Sequence, residues 1–168
     1  MENSIIYRHA EQIDIPDITS IYNYYIRHTT ATFDLEPVTI ENRQEWFDYH
    51  NPESRYKLIT AILDNTVIGY ACTSTFREKA AYATSVESSI YMHPDFTGRG
   101  AGFNLYAKLF SLLEETDIHR VYACITIPNP ASVSLHTKFQ FNKVGLFSEA
   151  GFKFGTYRDI QWMEKKLS

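Results

Sequence analysis

The 168-residue sequence predicts an α/β (α+β) fold, a mixed sheet flanked by helices. Three observations carry that expectation. Short apolar runs with strand character alternate along the chain with stretches whose apolar residues recur at helical spacing. Seven Gly and six Pro fall singly at turn positions, with no repeat, low-complexity tract or flexible linker between them. Hydrophobic residues at 44% and charged residues at 21% are the balance of a chain that buries a core. The length matches one domain, residues 1–168.

Each element has its own reason. Ile5–Arg8 reads as a short strand. Asp14 and Pro16 signal a helix start, and Ile18, Ile21, Tyr22, Tyr25 and Ile26 form a helical stripe to about Arg27. Thr29–Pro37 (TTATFDLEP) is too polar and β-branched to continue it and is a loop. Thr39 then caps a helix carrying Ile40, Trp46 and Phe47. Tyr56–Leu63 and Thr66–Thr75 are apolar runs on either side of Asp64–Asn65, a hairpin signal. The polar connection Phe76–Ala81 leads to a strand over Tyr82–Met92. Its alternation puts Val86, Ser88, Ile90 and Met92 on one face and Glu87, Ser89 and Tyr91 on the other. His93–Gly102 is a loop, and Leu105, Leu109, Leu112 and Leu113 mark an amphipathic helix to about Thr116. Val121–Ile127 is a strand, Asn129 and Pro130 open a helix through Phe139, and strands near Lys143–Phe147 and Tyr157–Lys165 close the chain.

Composition excludes several classes of function. A net charge of −4, with no basic run longer than Lys165–Lys166, argues against nucleic acid as a partner. No apolar stretch approaches the roughly 18 residues of a membrane span, and MENSIIYRHAEQ lacks the apolar core of a signal peptide, so a cytoplasmic protein without a membrane partner is expected. Cys72 and Cys124 lie in strand-like runs and read as two buried free thiols rather than a disulfide or metal ligands; no metal site is expected. The aromatic residues, led by 12 Tyr and 11 Phe, suit a lined cleft or an interface as well as a core.

Chemistry concentrates in the run from Thr84 to Gly102. Thr97-Gly98-Arg99-Gly100-Ala101-Gly102 lies between a strand and a helix. Orphan N–H groups and the positive dipole end at a helix N-terminus bind anions, and glycine lets a phosphate approach closely; a simple reversing turn would use the same residues. A dinucleotide fingerprint starting at Gly98 would need Gly at Phe103, and no nucleotide P-loop pattern occurs. Glu87 is a candidate base within the preceding strand, or an exposed strand carboxylate. Asn129 before Pro130 is a good helix N-cap.

The run TSVESSIYMHPDFTGRGAG resembles the GNAT superfamily of N-acetyltransferases, and within it the phosphinothricin (methionine sulfoximine) acetyltransferase group. Similar segments are IYNYYI at 21–26, TTATF at 29–33, Trp46-Phe47, Phe76-Arg77, Asn129-Pro130-Ala131-Ser132, Leu135-His136 and GFKFG at 151–155. They run in one order from about residue 5 to 165. The resemblance implies a mostly antiparallel sheet of about six to seven strands whose central parallel strands splay around acetyl-CoA. It implies that Ile90, Tyr91 and Met92 pair with the pantetheine arm and polarise the thioester, and that Gly98, Arg99, Gly100, Ala101, Gly102 and Phe103 hold the pyrophosphate. Asn129 and Lys138 are further cofactor contacts. Glu87 is then the base that takes the proton from the acceptor ammonium, and His136 the thiolate acid or a proton relay. Phe33, Arg77, Glu78, Lys79, Glu87, Ser88 and Ser89 are implied at the acceptor site, with Arg77 suited to an acceptor carboxylate or phosphinate.

Two positions depart from the pattern: Thr97 stands where a Gln or Arg is usual, and Gln140 where a Gly usually precedes the Phe. The resemblance implies direct acetyl transfer in a ternary complex to the α-amino group of a small amino-acid-like acceptor, in a homodimer. Another small amine, a protein N-terminus, or a non-catalytic acyl-CoA-binding module are the alternatives.

Overall fold

The computed structural model describes residues 4–167; residues 1–3, which begin the N-terminal segment read above, and residue 168 lie outside the described residues. The strands are β1 (Ile6–His9), β2 (Leu58–Leu63), β3 (Thr66–Thr75), β4 (Ser85–Met92), β5 (Arg120–Ile127), β6 (Asn142–Lys153) and β7 (Thr156–Lys166). The helices are α1 (Ile15–His28), α2 (Ile40–Asp48), α3 (Ala101–Leu113) and α4 (Pro130–Lys138). The seven strands form one sheet in the order β1-β2-β3-β4-β5-β7-β6. Its neighbours run antiparallel except β4 and β5, which are parallel.

The alternation of the strands divides the core into two layers. α1 and α2 cover one face, where Ile18, Ile21, Leu58, Tyr70 and Cys72 pack together. α3 covers the other, where Leu105, Tyr106, Leu109 and Leu113 meet Ile59, Val86, Val121 and Met163. Leu105, Leu109 and Leu113 are fully buried, each stabilising the fold by about 1.5–3 kcal/mol. Thr39 caps α2 by accepting from Asn42 N–H at 3.2 Å. Asp14 precedes α1, but its carboxylate accepts instead from Glu11 N–H at 2.8 Å and from Arg8 at 2.7 Å. Asp14 thus stands at the N-cap position with Pro16 in the first turn, as expected, but its side chain ties β1 to the start of α1 instead of capping the helix.

Three segments, β4, α3 and β6, and the burial of one cysteine differ from the sequence reading. β4 begins at Ser85, because Ala80–Tyr82 is a single 3-10 turn and alternation starts only after it. α3 ends at Leu113, before the polar residues up to Thr116. β6 runs on to Lys153 and joins β7 through Phe154 and Gly155, whose φ values are 52° and 72°. The register of β6 slips between Phe147 and Gly151, where Glu149 takes a φ of 52° and its N–H is held by Asp159 at 2.8 Å. Cys124 is half-buried rather than buried; Cys72 is buried, and both are free thiols.

Candidate active site

The site begins where β4 and β5 part. Their pairing covers Ser85↔Arg120, Val86↔Val121 and Glu87↔Tyr122 and goes no further, although both strands continue for about five residues. The direction of the β4 backbone follows from one bond: His93 N–H reaches the Ile68 carbonyl on β3 at 2.8 Å. By strand alternation Tyr91 and Ser89 also turn their backbone groups to β3, whereas Ile90 and Met92 turn theirs into the gap beside β5. Of the three strand residues expected to face the cofactor, Ile90 and Met92 turn their backbone into this gap. Tyr91 instead sends its ring among Tyr22, Tyr25 and Tyr70, at centroid distances of 5.2, 5.1 and 5.4 Å.

The gap opens into a cleft of about 470 Å³. One wall is Ser88–Met92 of β4, the other Ala123–Thr126 of β5, and the mouth carries Gly98, Gly100, Gly102 and Phe103. Gly98 and Gly100 have φ values of 74° and 81°, a region side chains rarely adopt, and a Cβ on either would point into open space. The loop therefore presents bare backbone at the N-terminus of α3, an arrangement that suits an anion. Gly102 has neither feature: a Cβ there would lie 3.4 Å from Met92 Cγ, in ordinary contact with β4. Ala101 is buried in the first turn, and the Arg99 side chain lies over the Phe96 ring at 5.8 Å rather than along the cleft. Thr97 turns its hydroxyl back to the Pro94 carbonyl at 3.1 Å, so the residue that departs from the usual pattern steadies the loop. Asn129 lines the cleft and caps α4 by accepting from Ser132 N–H at 3.1 Å; Lys138 lies exposed on the same helix and lines the cleft too.

Glu87 and Ser88 are neighbours that face opposite sides of the sheet. Glu87 lies on the α1–α2 side, opposite Ser74 in register, with Tyr122 and Cys124 beside it on β5. Burial pushes its carboxyl above the ordinary glutamate range, and Arg77 pulls the other way. Around it stand Phe76 stacked on Tyr122 at 4.1 Å, Trp162 edge-on to Phe76 at 6.0 Å, and the Arg77 guanidinium over Phe76 at 4.6 Å. Ser89 shares this face and lines the cleft. Glu78 and Lys79 are exposed in the following turn, and the structure does not gather them with Glu87. Phe33 lies farther along this side, its ring against Gly151: a Cβ there would be 2.2 Å from Phe33 Cζ. Lys153 holds the same loop by donating to the Thr32 carbonyl at 2.7 Å.

Ser88 points to the α3 side and joins a buried chain of hydrogen bonds. His136 Nδ1 lies 2.8 Å from the Ser132 carbonyl, which can only accept, so Nδ1 carries the proton and Nε2 is an acceptor. Tyr106 therefore donates to His136 Nε2 at 3.0 Å, and Ser88 donates to the Tyr106 oxygen at 2.6 Å. Burial pushes the His136 pKa down, favouring the neutral ring that this chain requires. Tyr106 escaped the sequence reading. Its signal was a hydroxyl on the buried side of a Leu-rich helix, where a tyrosine needs a partner. Cys124 was also missed as a cleft residue; burial, then Glu87, pushes its thiol up to about 11, so at neutral pH it is a weak nucleophile. A larger depression of about 610 Å³ lies at the other end of α3, where Arg55 and Asp117 already pair at 2.6 Å.

A parallel pair that splays, with a glycine loop at one end of the gap and a half-buried carboxylate at the other, offers an anion-binding end and a proton-accepting end to one extended ligand. Residues 18–141 match the model of the Acetyltransferase (GNAT) family. The chain is 46% identical over 156 residues to a phosphinothricin N-acetyltransferase of Streptomyces coelicolor, covering 92% of this chain and 91% of the relative. It is 32% identical over 160 residues to an L-methionine sulfoximine/L-methionine sulfone acetyltransferase of Pseudomonas paraeruginosa, covering 95% and 93%. Its fold is similar, with a TM-score of 0.92 and 30% identity, to a phosphinothricin acetyltransferase from Sinorhizobium meliloti solved with acetyl-CoA, covering 98% of this chain and 89% of that one. The chain belongs to the GNAT family of acetyltransferases and is an N-acetyltransferase that takes its acetyl group from acetyl-CoA.

Proposed function

We propose that the chain acetylates the α-amino group of a small amino-acid-like acceptor of the phosphinothricin, methionine sulfoximine or methionine sulfone type, by direct transfer with both substrates bound. The observation that carries this reading is Glu87, a carboxylate whose proton affinity is raised by burial at the fork of β4 and β5, with Arg77 beside it. An acceptor ammonium must lose a proton before it can attack, and a carboxyl group raised toward neutrality takes it directly or through one water. Arg77 then receives the acceptor's carboxylate or phosphinate. The names of the relatives at 46% and 32% identity support that acceptor class.

Acetyl-CoA supplies an activated acyl group. For their part, the backbone N–H groups of Ile90 and Met92 face the gap as fixed donors toward the thioester oxygen, and such a donor has been worth about 2.7–4 kcal/mol in a hydrolase. The backbone of Gly98–Phe103 holds the diphosphate, with Asn129 and Lys138 along the opposite wall. The Ser88–Tyr106–His136 bonds end on a proton acceptor, so His136 exchanges a proton with the fork through Tyr106 and Ser88.

Among the described residues no helix is long and apolar enough to cross a membrane. We place the enzyme in the cytoplasm, where free thiols persist. We also place a second copy against the β6–β7 hairpin, where Val144, Leu146, Phe147, Phe152, Phe154 and Tyr157 are each more than half exposed and β6 has a free edge. Light scattering then gives twice the 19.5 kDa chain mass.

A thiol-release screen over phosphinothricin, methionine sulfoximine, methionine sulfone, free amino acids and polyamines tests the acceptor. Release with the first three is expected. Turnover confined to polyamines or peptides would replace the acceptor class, and CoA binding without release from any amine would leave a binding module.

A further inference from the structure

One side chain of α1 is tied to the strand that walls the cleft. Tyr25 donates from its hydroxyl to the Met92 carbonyl at 2.7 Å, and both residues line the cleft. The next amide along, His93 N–H, donates to the Ile68 carbonyl at 2.8 Å. The peptide unit joining Met92 to His93 is therefore held at its oxygen by α1 and at its nitrogen by β3. The Met92 side chain is fixed as well. A Cβ on Gly69 would lie 2.4 Å from Met92 Sδ, and one on Gly102 would lie 3.4 Å from Met92 Cγ. Met92 thus sits between β3 and the first turn of α3, and Gly69 makes the room.

This peptide is also the joint between the two halves of the cofactor site. Upstream, Ile90 and Met92 turn their backbone into the gap beside β5. Downstream, the chain passes at once into the 3-10 turn Pro94–Phe96 and then the glycine loop. A rotation of the joint would turn the loop's N–H groups away from the line set by β4. Removing the Tyr25 hydroxyl would not remove its ring, which stands edge-on to Tyr91 at 5.1 Å and to Tyr24 at 5.7 Å. Burial keeps that hydroxyl protonated, and so a donor, across the working pH range.

We infer that Tyr25 is a positioning residue for acetyl-CoA: by holding the Met92 carbonyl it keeps the strand that faces the thioester arm in register with the loop that faces the diphosphate. It touches the backbone and leaves the reacting atoms to other groups, so its effect falls on cofactor affinity more than on turnover.

The test is Tyr25→Phe, with Tyr24→Phe on the same helix as the control, because Tyr24 contributes ring contacts alone. CoA affinity is measured by calorimetry on the full chain, beside initial rates with acetyl-CoA and acceptor varied in turn. Tyr25→Phe is expected to weaken CoA binding and raise the acetyl-CoA KM by about three- to tenfold, the loss of one hydrogen bond. The acceptor KM, and kcat at saturation, stay within about twofold of the parent. Tyr24→Phe changes none of these. CoA affinity unchanged in Tyr25→Phe, with only the melting temperature lowered, would overturn the inference and leave a merely structural tyrosine. Equal weakening in Tyr24→Phe would overturn it too.

Discussion

Tyr106→Phe removes a hydroxyl that is fully buried between Ser88 and His136 while keeping the ring. The ring contacts to Phe110 at 4.9 Å and Phe139 at 5.1 Å persist, so packing is nearly conserved. The losses are specific. Ser88 can turn its hydroxyl to the Tyr122 carbonyl at 3.3 Å, but His136 Nε2 is left without its donor. An unsatisfied buried acceptor costs about 1–3 kcal/mol and a lost neutral hydrogen bond about 0.5–1.5 kcal/mol. Together they destabilise the variant by about 1.5–4.5 kcal/mol, which for a chain this size lowers Tm by about 3–18 °C. Urea and thermal unfolding measure it, and a double-mutant cycle with Ser88→Ala isolates the coupling. The pH dependence carries a sign. His136 has a folded-state pKa below its unfolded value, so its contribution is present above about pH 6.5 and is lost as pH falls through the folded-state value. A loss smaller than about 0.5 kcal/mol, or no coupling between Ser88 and Tyr106, would refute the hydrogen-bonded chain.

Two further outcomes follow from the acceptor side. Arg77 lowers the Glu87 pKa against the effect of burial; Arg77→Gln should therefore move the acidic limb of the kcat/KM profile to higher pH, and a limb that stays put or moves down contradicts the pairing. Gly151→Ala puts a methyl 2.2 Å from Phe33 Cζ, so the loop must shift, at about 1–3 kcal/mol of stability. The acceptor KM should rise while CoA affinity by calorimetry is unchanged; an unaltered acceptor KM would remove Phe33 from the acceptor site.

Local signals were readable where structure is local. The alternation over residues 85–92 gave β4 and its two faces because both faces are packed, and Gly98 and Gly100 marked a loop because only glycine adopts their φ values easily. The same alternation separates Ser88 from Glu87, although the resemblance implies both at the acceptor site; Ser88 bonds Tyr106 on the α3 side. The Ser88–Tyr106–His136 contact joins three elements 18 and 30 residues apart, and no sequence period encodes such a meeting. β6 was readable only to Phe147 because the slipped register breaks its alternation there. The turn beyond it places Phe154, no ordinary turn residue, at a φ of 52°. Cys124 looked like a core residue because its strand is apolar; the divergence of β4, invisible in the sequence of β5, leaves it on the cleft.

The proposed reaction depends most on Glu87 taking the acceptor's proton. Thiol release from acetyl-CoA by Glu87→Gln, with phosphinothricin or methionine sulfoximine as acceptor, tests it when read beside calorimetric CoA affinity of the same preparation. Release is expected to fall by about a hundredfold or more while CoA affinity stays within about twofold, since the carboxylate lies apart from the glycine loop. Turnover near the parent rate with CoA binding intact would contradict it.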